Sequence, residues 1–187
     1  VGDVQVVPAG ERPVPAEPLM EVVDAWERVN FRRLVEGADL VDRVGLAGVQ
    51  PKASTAAMIS GPVARGSSRY ILKLNPPEYP DVVENEHFFL GVARAAGHPV
   101  VETELVNDRE GLTGLLVTRF DRVVGADGEQ SSRAVEDGCQ LLGRWPADKY
   151  RVTIEEVVAA MGRVSASPAL AARDVMRQVC MAWLTGN

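Results

Sequence analysis

The sequence predicts an α+β fold in which a strand-rich part precedes a helical part. Short apolar runs bounded by glycine, proline and polar residues dominate up to about residue 120, and such runs are typical of strands. One helical pattern is inserted after Lys73, and from Val135 onward the apolar residues recur with helical spacing.

Composition and charge narrow the class of protein. The 187 residues are 46% hydrophobic and 25% charged, which is typical of a globular protein with a sizeable core. A net charge of -6 without a basic stripe disfavours direct binding to nucleic acid. No apolar run approaches the roughly 20 residues that a membrane helix needs, and the start does not resemble a signal peptide. We therefore expect a cytoplasmic protein with no membrane partner.

Five apolar runs in the first part of the chain predict strands. They are residues 1–7, Ala56–Ser60, Tyr70–Leu74, Glu102–Val106 and Gly114–Phe120. Residues 8–18 contain four prolines and predict a connector. The glycine- and serine-rich segment Gly61–Ser68 predicts a turn between the second and third runs.

Helices are predicted where a polar cap precedes apolar residues at helical spacing. Asn30 is the expected N-cap of a first helix. Asp81 and Glu84 match a capping box, which predicts a second helix that ends at Gly97. A polar loop is expected at Asp121–Arg133. The later helices are expected at Val135–Leu142, from the Thr153–Glu156 cap to about Val164, and from Ser167 and Pro168 onward.

The segment Gly45–Ser54 has the residue types of a phosphate-binding loop. Gly45 and Gly48 let the backbone approach a ligand, exposed N–H groups can cradle phosphate oxygens, and Lys52 adds a positive charge. The segment is not a Walker A motif, because the Gly-Lys-Ser/Thr core is absent. Taken alone, it is also typical of a surface turn.

Lys73 lies among the apolar residues of a predicted strand. An ammonium group is costly to bury there unless it is paired, and Glu84 or Glu86 of the following helix can supply the pair. A strand lysine paired with a helix glutamate holds the ATP phosphates in kinases. A lysine that points to solvent from an edge strand is the alternative.

The segment Leu115–Arg122 is an apolar strand that runs into a charged link. The link falls where the strand-rich part meets the helical part. Backbone groups of such a link can hydrogen-bond an adenine edge, with Phe120 packing nearby. A plain strand that ends in a loop is the alternative.

Five segments together suggest a family. They are LAGVQPKAS, YILKL, VENEHFFLGVARAAGHPV, LLVTRFDR, and VEDGCQLLG with WPADKY. In this order and at these gaps they resemble the HipA family of serine/threonine kinases, whose full-length members are bacterial toxins or stress kinases. The resemblance is densest from Leu46 to Tyr150. It implies a protein-kinase-like two-lobed fold, here a strand-rich N-lobe and the truncated start of a helical C-lobe.

The resemblance implies a division of the chain into three parts. Residues 1–18 would end a small N-terminal subdomain and its linker, 19–121 would form the ATP-binding N-lobe, and 122–187 would begin the C-lobe. The terminal WLTGN resembles the start of the catalytic loop. The catalytic aspartate and asparagine and the aspartate that binds Mg²⁺ are therefore expected beyond Asn187. This chain alone would then transfer no phosphate and would hold no metal ligand.

The resemblance also implies which residues hold ATP. Ala47, Gly48 and Lys52 would lie over the phosphates, and Lys73 would hold them with Glu86 as its helix partner. The link residues whose backbone would meet adenine are Thr118, Arg119 and Phe120. The mouth of the cleft would be lined by Asp121, Glu136 and Asp137.

One departure from the family pattern concerns regulation. Family members often carry a serine three residues before the glycine of the Ala-Gly-x-Gln segment, and its autophosphorylation inactivates the kinase. Gly45 stands at that place in this sequence. We therefore do not expect inactivation by that route.

The implied cofactors are ATP and Mg²⁺, and the implied partners are proteins. The substrate would be a protein hydroxyl, with aminoacyl-tRNA synthetases as one target class of the family. A HipB-like helix-turn-helix antitoxin would bind the kinase, and DNA only indirectly through that antitoxin. Two other functions stay open: a non-catalytic pseudokinase or partner-binding module, and a small-molecule phosphotransferase.

Overall fold

The computed structural model describes residues 9–10, 20–21, 26–36, 59–65, 68–76, 79–125 and 130–186. These residues fall into two compact units, one up to Ala134 and one from Val135. The strand predicted at residues 1–7 and the segment Gly45–Ser54 lie outside the described residues.

A five-stranded sheet forms the centre of the first unit. Its strands are β1 (Met20–Glu21), β2 (Ile59–Arg65), β3 (Ser68–Leu74), β4 (Thr103–Asn107) and β5 (Thr113–Thr118). They lie in the order β1-β2-β3-β5-β4. The first two strands are parallel, and the other neighbours are antiparallel. Strand β3 is therefore the middle of the sheet, paired with β2 on one side and with β5 on the other.

The two faces of the sheet carry separate cores, as the alternation of side chains along a strand requires. On one face Leu72 and Leu74 of β3 pack with the buried ring of Phe31, the first residue of helix α1 (Phe31–Glu36). On the other face Ile71 packs with Leu115 and with Val83 of helix α2 (Val82–Ala95). Helix α1 and helix α2 thus belong to opposite faces of the sheet.

The close packing on the α1 face depends on a glycine in β5. A Cβ atom at Gly114 would lie 3.0 Å from side-chain atoms of Leu72, Leu74 and Phe31. Real Cβ atoms seldom approach so closely, so a larger residue would force these side chains apart.

Two expectations for the strands and loops of this unit are wrong. Strand β2 runs through Gly61 and Pro62, where a turn was expected. Proline is tolerated there because, among the described residues, β1 pairs with β2 only at Val63 and Ala64, so Pro62 lies on a largely open edge. The expected polar loop at Asp121–Arg133 contains a hairpin of strands β6 (Arg122–Val124) and β7 (Gln130–Ser132). Its strands are short and mostly polar, so apolar alternation could not reveal them.

The second unit is helical, as the sequence predicted. It contains α3 (Gly138–Leu141), α4 (Ile154–Val164) and α5 (Pro168–Thr185). The capping box of α4 is confirmed: the N–H of Glu156 donates to Thr153 Oγ1 at 3.2 Å, and Glu156 Oε2 accepts from the N–H of Thr153 at 2.9 Å. Helix α3 is shorter than the expected Val135–Leu142. The Asp137 side chain caps it, so the helix begins at Gly138, three residues after the predicted start. No helix within the described ranges is long and apolar enough to span a membrane.

Candidate functional site

The strand lysine and the helix glutamate meet on the α2 face of the sheet. Lys73 Nζ donates to Glu86 Oε1 at 2.7 Å, so β3 and α2 are joined by a charge-assisted hydrogen bond. The two side chains are 25% and 27% exposed, so neither is fully buried. The expected pairing of Lys73 with Glu86 is confirmed, whereas its role in holding a nucleotide stays a prediction.

Glu84 has a different partner, which is why it does not compete for Lys73. Asn75 Nδ2 donates to Glu84 Oε2 at 2.9 Å. Burial alone would raise the pKa of Glu84, but hydrogen bonds, with that from Asn75 the strongest, outweigh burial and lower the pKa below its usual value. Glu84 therefore stays ionised and is held by Asn75 at the end of β3. It lies two residues before Glu86 on the same helix.

Asn75 also replaces the cap that the sequence predicted for α2. The capping box of Asp81 and Glu84 is wrong, because Asp81 lies in the left-handed region with φ of 67° and makes no capping hydrogen bond with its side chain. Asn75 Oδ1 instead accepts the N–H of Val83 at 2.9 Å. Asn75 follows β3 directly, so one side chain sets the start of α2 relative to the strand that carries Lys73. Sequence spacing gave no signal of this cap, since Asn75 lies eight residues from Val83.

Replacing Asn75 by Ala is expected to destabilise the chain by about 1–2 kcal/mol, because the Val83 N–H loses its acceptor and the Glu84 carboxylate loses its strongest hydrogen-bond donor. Amide hydrogen exchange at Val83 should become faster, and the free energy of opening derived from it should fall by a comparable amount. Asn85→Ala is the matched control, since Asn85 is an exposed asparagine on the same helix. Equal exchange at Val83 in the two variants would contradict this role of Asn75.

The link after β5 is held by hydrogen bonds to its neighbours. The N–H of Thr118 donates to the carbonyl oxygen of Glu102 at 2.9 Å, and the N–H of Arg119 donates to that of Arg69 at 3.0 Å. Among the described residues, the N–H of Phe120 has no hydrogen-bond acceptor. Phe120 as a whole is 60% exposed.

The other expected site residues are placed as follows. Ala47, Gly48 and Lys52 lie outside the described residues, so their role stays a prediction. Asp137 is used structurally, since its side chain accepts the N–H of Gln140 at 2.8 Å to cap α3. Glu136 is exposed. Asp121 is bound by arginine side chains, an arrangement that the sequence did not reveal.

Within the described ranges, no three His, Cys, Asp or Glu side chains come together as a metal site would require. The described residues include two groups suited to ATP: the partly exposed side chain of Lys73 on the sheet, and the N–H of Phe120 at the end of the neighbouring strand, which has no acceptor among those residues.

Comparison with known proteins identifies the family. The model of the HipA-like C-terminal domain matches residues 44–187, so the chain belongs to that family, as its motifs predicted. A protein of Sinorhizobium fredii (strain NBRC 101917 / NGR234) named "Putative kinase Y4mE" is 30% identical over 204 residues, covering 100% of this chain and 48% of the relative. A "Putative kinase" of Haemophilus influenzae is 30% identical over 131 residues, covering 63% of this chain and 36% of the relative.

A solved structure supports the fold. The Shewanella oneidensis MR-1 HipA, in a complex with HipB and its operator DNA, matches with a TM-score of 0.68 and 21% identity, over 100% of this chain and 48% of that one. An α+β fold with an antiparallel sheet and helices is confirmed, and the two-lobed arrangement stays a prediction. The chain spans about half the length of that structure and of the Sinorhizobium relative.

Proposed function

We propose that this chain is the nucleotide-binding part of a HipA-type serine/threonine protein kinase, which transfers the ATP γ-phosphate to a protein hydroxyl. The observation that carries the proposal is the bond between Lys73 on β3 and Glu86 on α2. A lysine and a glutamate so arranged form the phosphate-holding pair of protein kinases. Relatives named as kinases support the same reading.

Lys73 would bind the α- and β-phosphates of ATP. Its ammonium group has three N–H donors, and Glu86 accepts from it, so donors remain for phosphate oxygens. The carboxylate of Glu86 holds the flexible lysine side chain in one position and offsets the cost of keeping its charge partly buried. Ala47, Gly48 and Lys52 would cover the phosphates from the other side, by the family resemblance.

Phe120 would supply the backbone donor that meets adenine. The N–H groups of Thr118 and Arg119 are already donated to Glu102 and Arg69, so neither can serve the base without breaking a bond of the sheet. The Phe120 N–H has no such partner among the described residues. The sequence named all three link residues, and the hydrogen bonds favour one of them as the donor.

The wider setting is also a proposal. The Shewanella structure is a HipA–HipB–operator DNA complex, which supports a HipB-like antitoxin as partner. We propose that contact with DNA is made only through that antitoxin. The net charge of -6 agrees with indirect contact. We further propose a cytoplasmic toxin component whose target is a protein, with aminoacyl-tRNA synthetases as one candidate class. Mg²⁺ ligands and the catalytic aspartate would lie beyond Asn187, by the family resemblance.

The test measures ATP binding and phosphate transfer separately. Titration calorimetry of residues 1–187 with ATP should show binding to one site. Transfer of labelled γ-phosphate to proteins of a bacterial lysate should require a chain extended to the length of the relatives. Robust transfer by residues 1–187 alone would contradict the expected division of roles. Labelling of a free metabolite but no protein by the longer chain would instead favour a small-molecule phosphotransferase.

A further inference from the structure

The turn after β5 contains a nearly buried arginine bound to an aspartate two residues away. Arg119 Nε donates to Asp121 Oδ1 at 2.9 Å, and Arg119 Nη2 donates to Asp121 Oδ2. The side chain of Arg119 is 8% exposed and that of Asp121 is 16% exposed. A two-bond fork between a guanidinium and a carboxylate fixes orientation as well as distance, because both bonds must form together.

Asp121 also accepts hydrogen bonds from two other arginines near the turn, Arg122 and Arg133. Arg122 Nη1 donates to Asp121 Oδ2 at 3.0 Å and to its carbonyl oxygen at 3.1 Å. That carbonyl oxygen accepts the N–H of Arg133 at 2.9 Å, which joins the turn to the end of β7. The N–H of Arg122 donates to the carbonyl oxygen of Arg119 at 3.3 Å. The hydrogen bonds from Arg119, together with the positive charges of Arg119 and Arg122, lower the pKa of Asp121, so it is anionic at neutral pH.

Phe120 lies between the two ends of the fork. Arg119 is anchored to the sheet through the bond from its N–H to Arg69, and Asp121 is anchored through Arg133 and Arg122. The peptide groups on both sides of Phe120 are thus held, although the residue is 60% exposed. The fork thereby fixes the direction of the Phe120 N–H, which has no acceptor among the described residues.

We propose that Asp121 is a positioning residue for the nucleotide base, acting through Arg119 to hold the Phe120 peptide group in the orientation that binds adenine. The inference rests on the proposed function, since it concerns the same nucleotide. Asp121 does not contact the base. Its carboxylate is occupied by the two arginines, so it is not available as an open acceptor at the mouth of the cleft.

The test separates the base end of the nucleotide from its phosphate end. Asp121→Asn removes the charge and one half of the fork, and affinities of residues 1–187 are measured by calorimetry for ATP, adenosine and inorganic tripolyphosphate. We expect the affinities for ATP and adenosine to fall about tenfold, a change of about 1.4 kcal/mol. The affinity for tripolyphosphate, which only the phosphate-holding residues would bind, should change less than about twofold. A purely structural role would lower all three affinities together.

Asp174→Asn is the matched control, because Asp174 also accepts two bonds from an arginine, Arg173, but on the exposed surface of α5. Its affinities for all three ligands should equal those of the unchanged chain. If Asp121→Asn fails to fold, the double variant Arg119→Gln, Asp121→Asn removes both charges of the fork, so that no guanidinium stays buried at position 119 without its carboxylate. It should show the same selective loss of adenosine and ATP.

The outcomes are distinguishable. Unchanged adenosine affinity in a folded variant, or an equal loss for tripolyphosphate, would overturn the positioning role and leave the proposed function intact. If the unchanged chain binds neither ATP nor tripolyphosphate, the proposed function fails and the positioning role fails with it.

Discussion

Replacing Lys73 by Met is expected to lower the affinity of the chain for ATP about 10- to 100-fold. A charge-assisted hydrogen bond is worth about 1.5–3 kcal/mol, and methionine keeps the length and apolar contacts of the lysine stem without any donor. In a chain of the relatives' length, phosphate transfer should fall at least as far, because the same ammonium would stabilise charge on the transferring phosphates. Calorimetry with ATP and with tripolyphosphate measures the first effect, and both ligands should weaken equally.

Lys149→Met is the control for this change. Lys149 lies in the second unit near the ring of Tyr150, with its Nζ atom 6.0 Å from the ring centroid, and we assign it no part in the site. A variant with Glu86→Gln should lose part of the same affinity, and the Lys73→Met, Glu86→Gln double variant should lose no more than Lys73→Met alone. Unchanged ATP affinity in Lys73→Met would show that the strand lysine does not hold phosphate.

Replacing Asp108 by Ala is expected to destabilise the first unit by about 3–5 kcal/mol. Asp108 is only 6% exposed. Its Oδ2 accepts the N–H of Phe31 at 2.8 Å, and its Oδ1 accepts those of Glu110 and Leu112 at 2.8 and 2.9 Å. The side chain thus holds the start of α1 against the turn between β4 and β5. Without it, three backbone donors lose their acceptor.

Urea unfolding measures this effect best in a background with Trp145→Phe and Trp183→Phe, since both of those rings are largely exposed. The remaining Trp26 lies 5.9 Å from Phe31 between ring centroids and reports on the region that Asp108 holds. Glu104→Ala, at an exposed carboxylate of β4, is the control and should change stability by less than about 0.5 kcal/mol. A similar small change for Asp108→Ala would contradict the assigned role.

The same carboxylate predicts a dependence of stability on pH. Burial alone would raise the pKa of Asp108, but the N–H groups of Phe31, Leu112 and Glu110 and the charge of Arg109 outweigh it and lower the pKa. A group whose pKa is lower in the folded state stabilises fully above its unfolded pKa of about 4, and that contribution is lost as the pH falls through the folded pKa. Asp108→Ala should therefore show a weaker loss of stability on acidification than the unchanged chain.

Local pattern was sufficient where a structure depends on neighbours in sequence. The capping box of Thr153 and Glu156 and the C-terminal end of α2 at Gly97, with φ of 79°, were both predicted and are both present. The strand that carries Lys73 was also predicted, because its apolar residues are continuous. Pattern failed at the start of α2, since Asp81 has the residue type of a cap but a left-handed backbone, and its side chain makes no capping hydrogen bond.

The candidate site was also predictable from sequence only in part. Lys73, Glu86 and the link Thr118–Phe120 were identified from the order of the family's motifs along the chain. The choice of Phe120 as donor could not be made from sequence, because it depends on which N–H groups the neighbouring strands already use. The fork of Arg119 and Asp121 was equally hidden, as charged residues in a link are ordinarily solvated.

The sequence by itself determined the family, the α+β class and the identity of the strand lysine, because these follow from residue types and their order. The family resemblance had already named Glu86 as the partner of Lys73, and the structure confirms it. Only the tertiary structure decided what holds Glu84, the other candidate carboxylate, away from Lys73. Asn75 engages Glu84 and caps α2 at Val83, and this contact joins residues eight and nine positions apart through the packing of a helix on a sheet. Which partner each of the two carboxylates takes depends on distances in space, and the order of residues does not contain those distances.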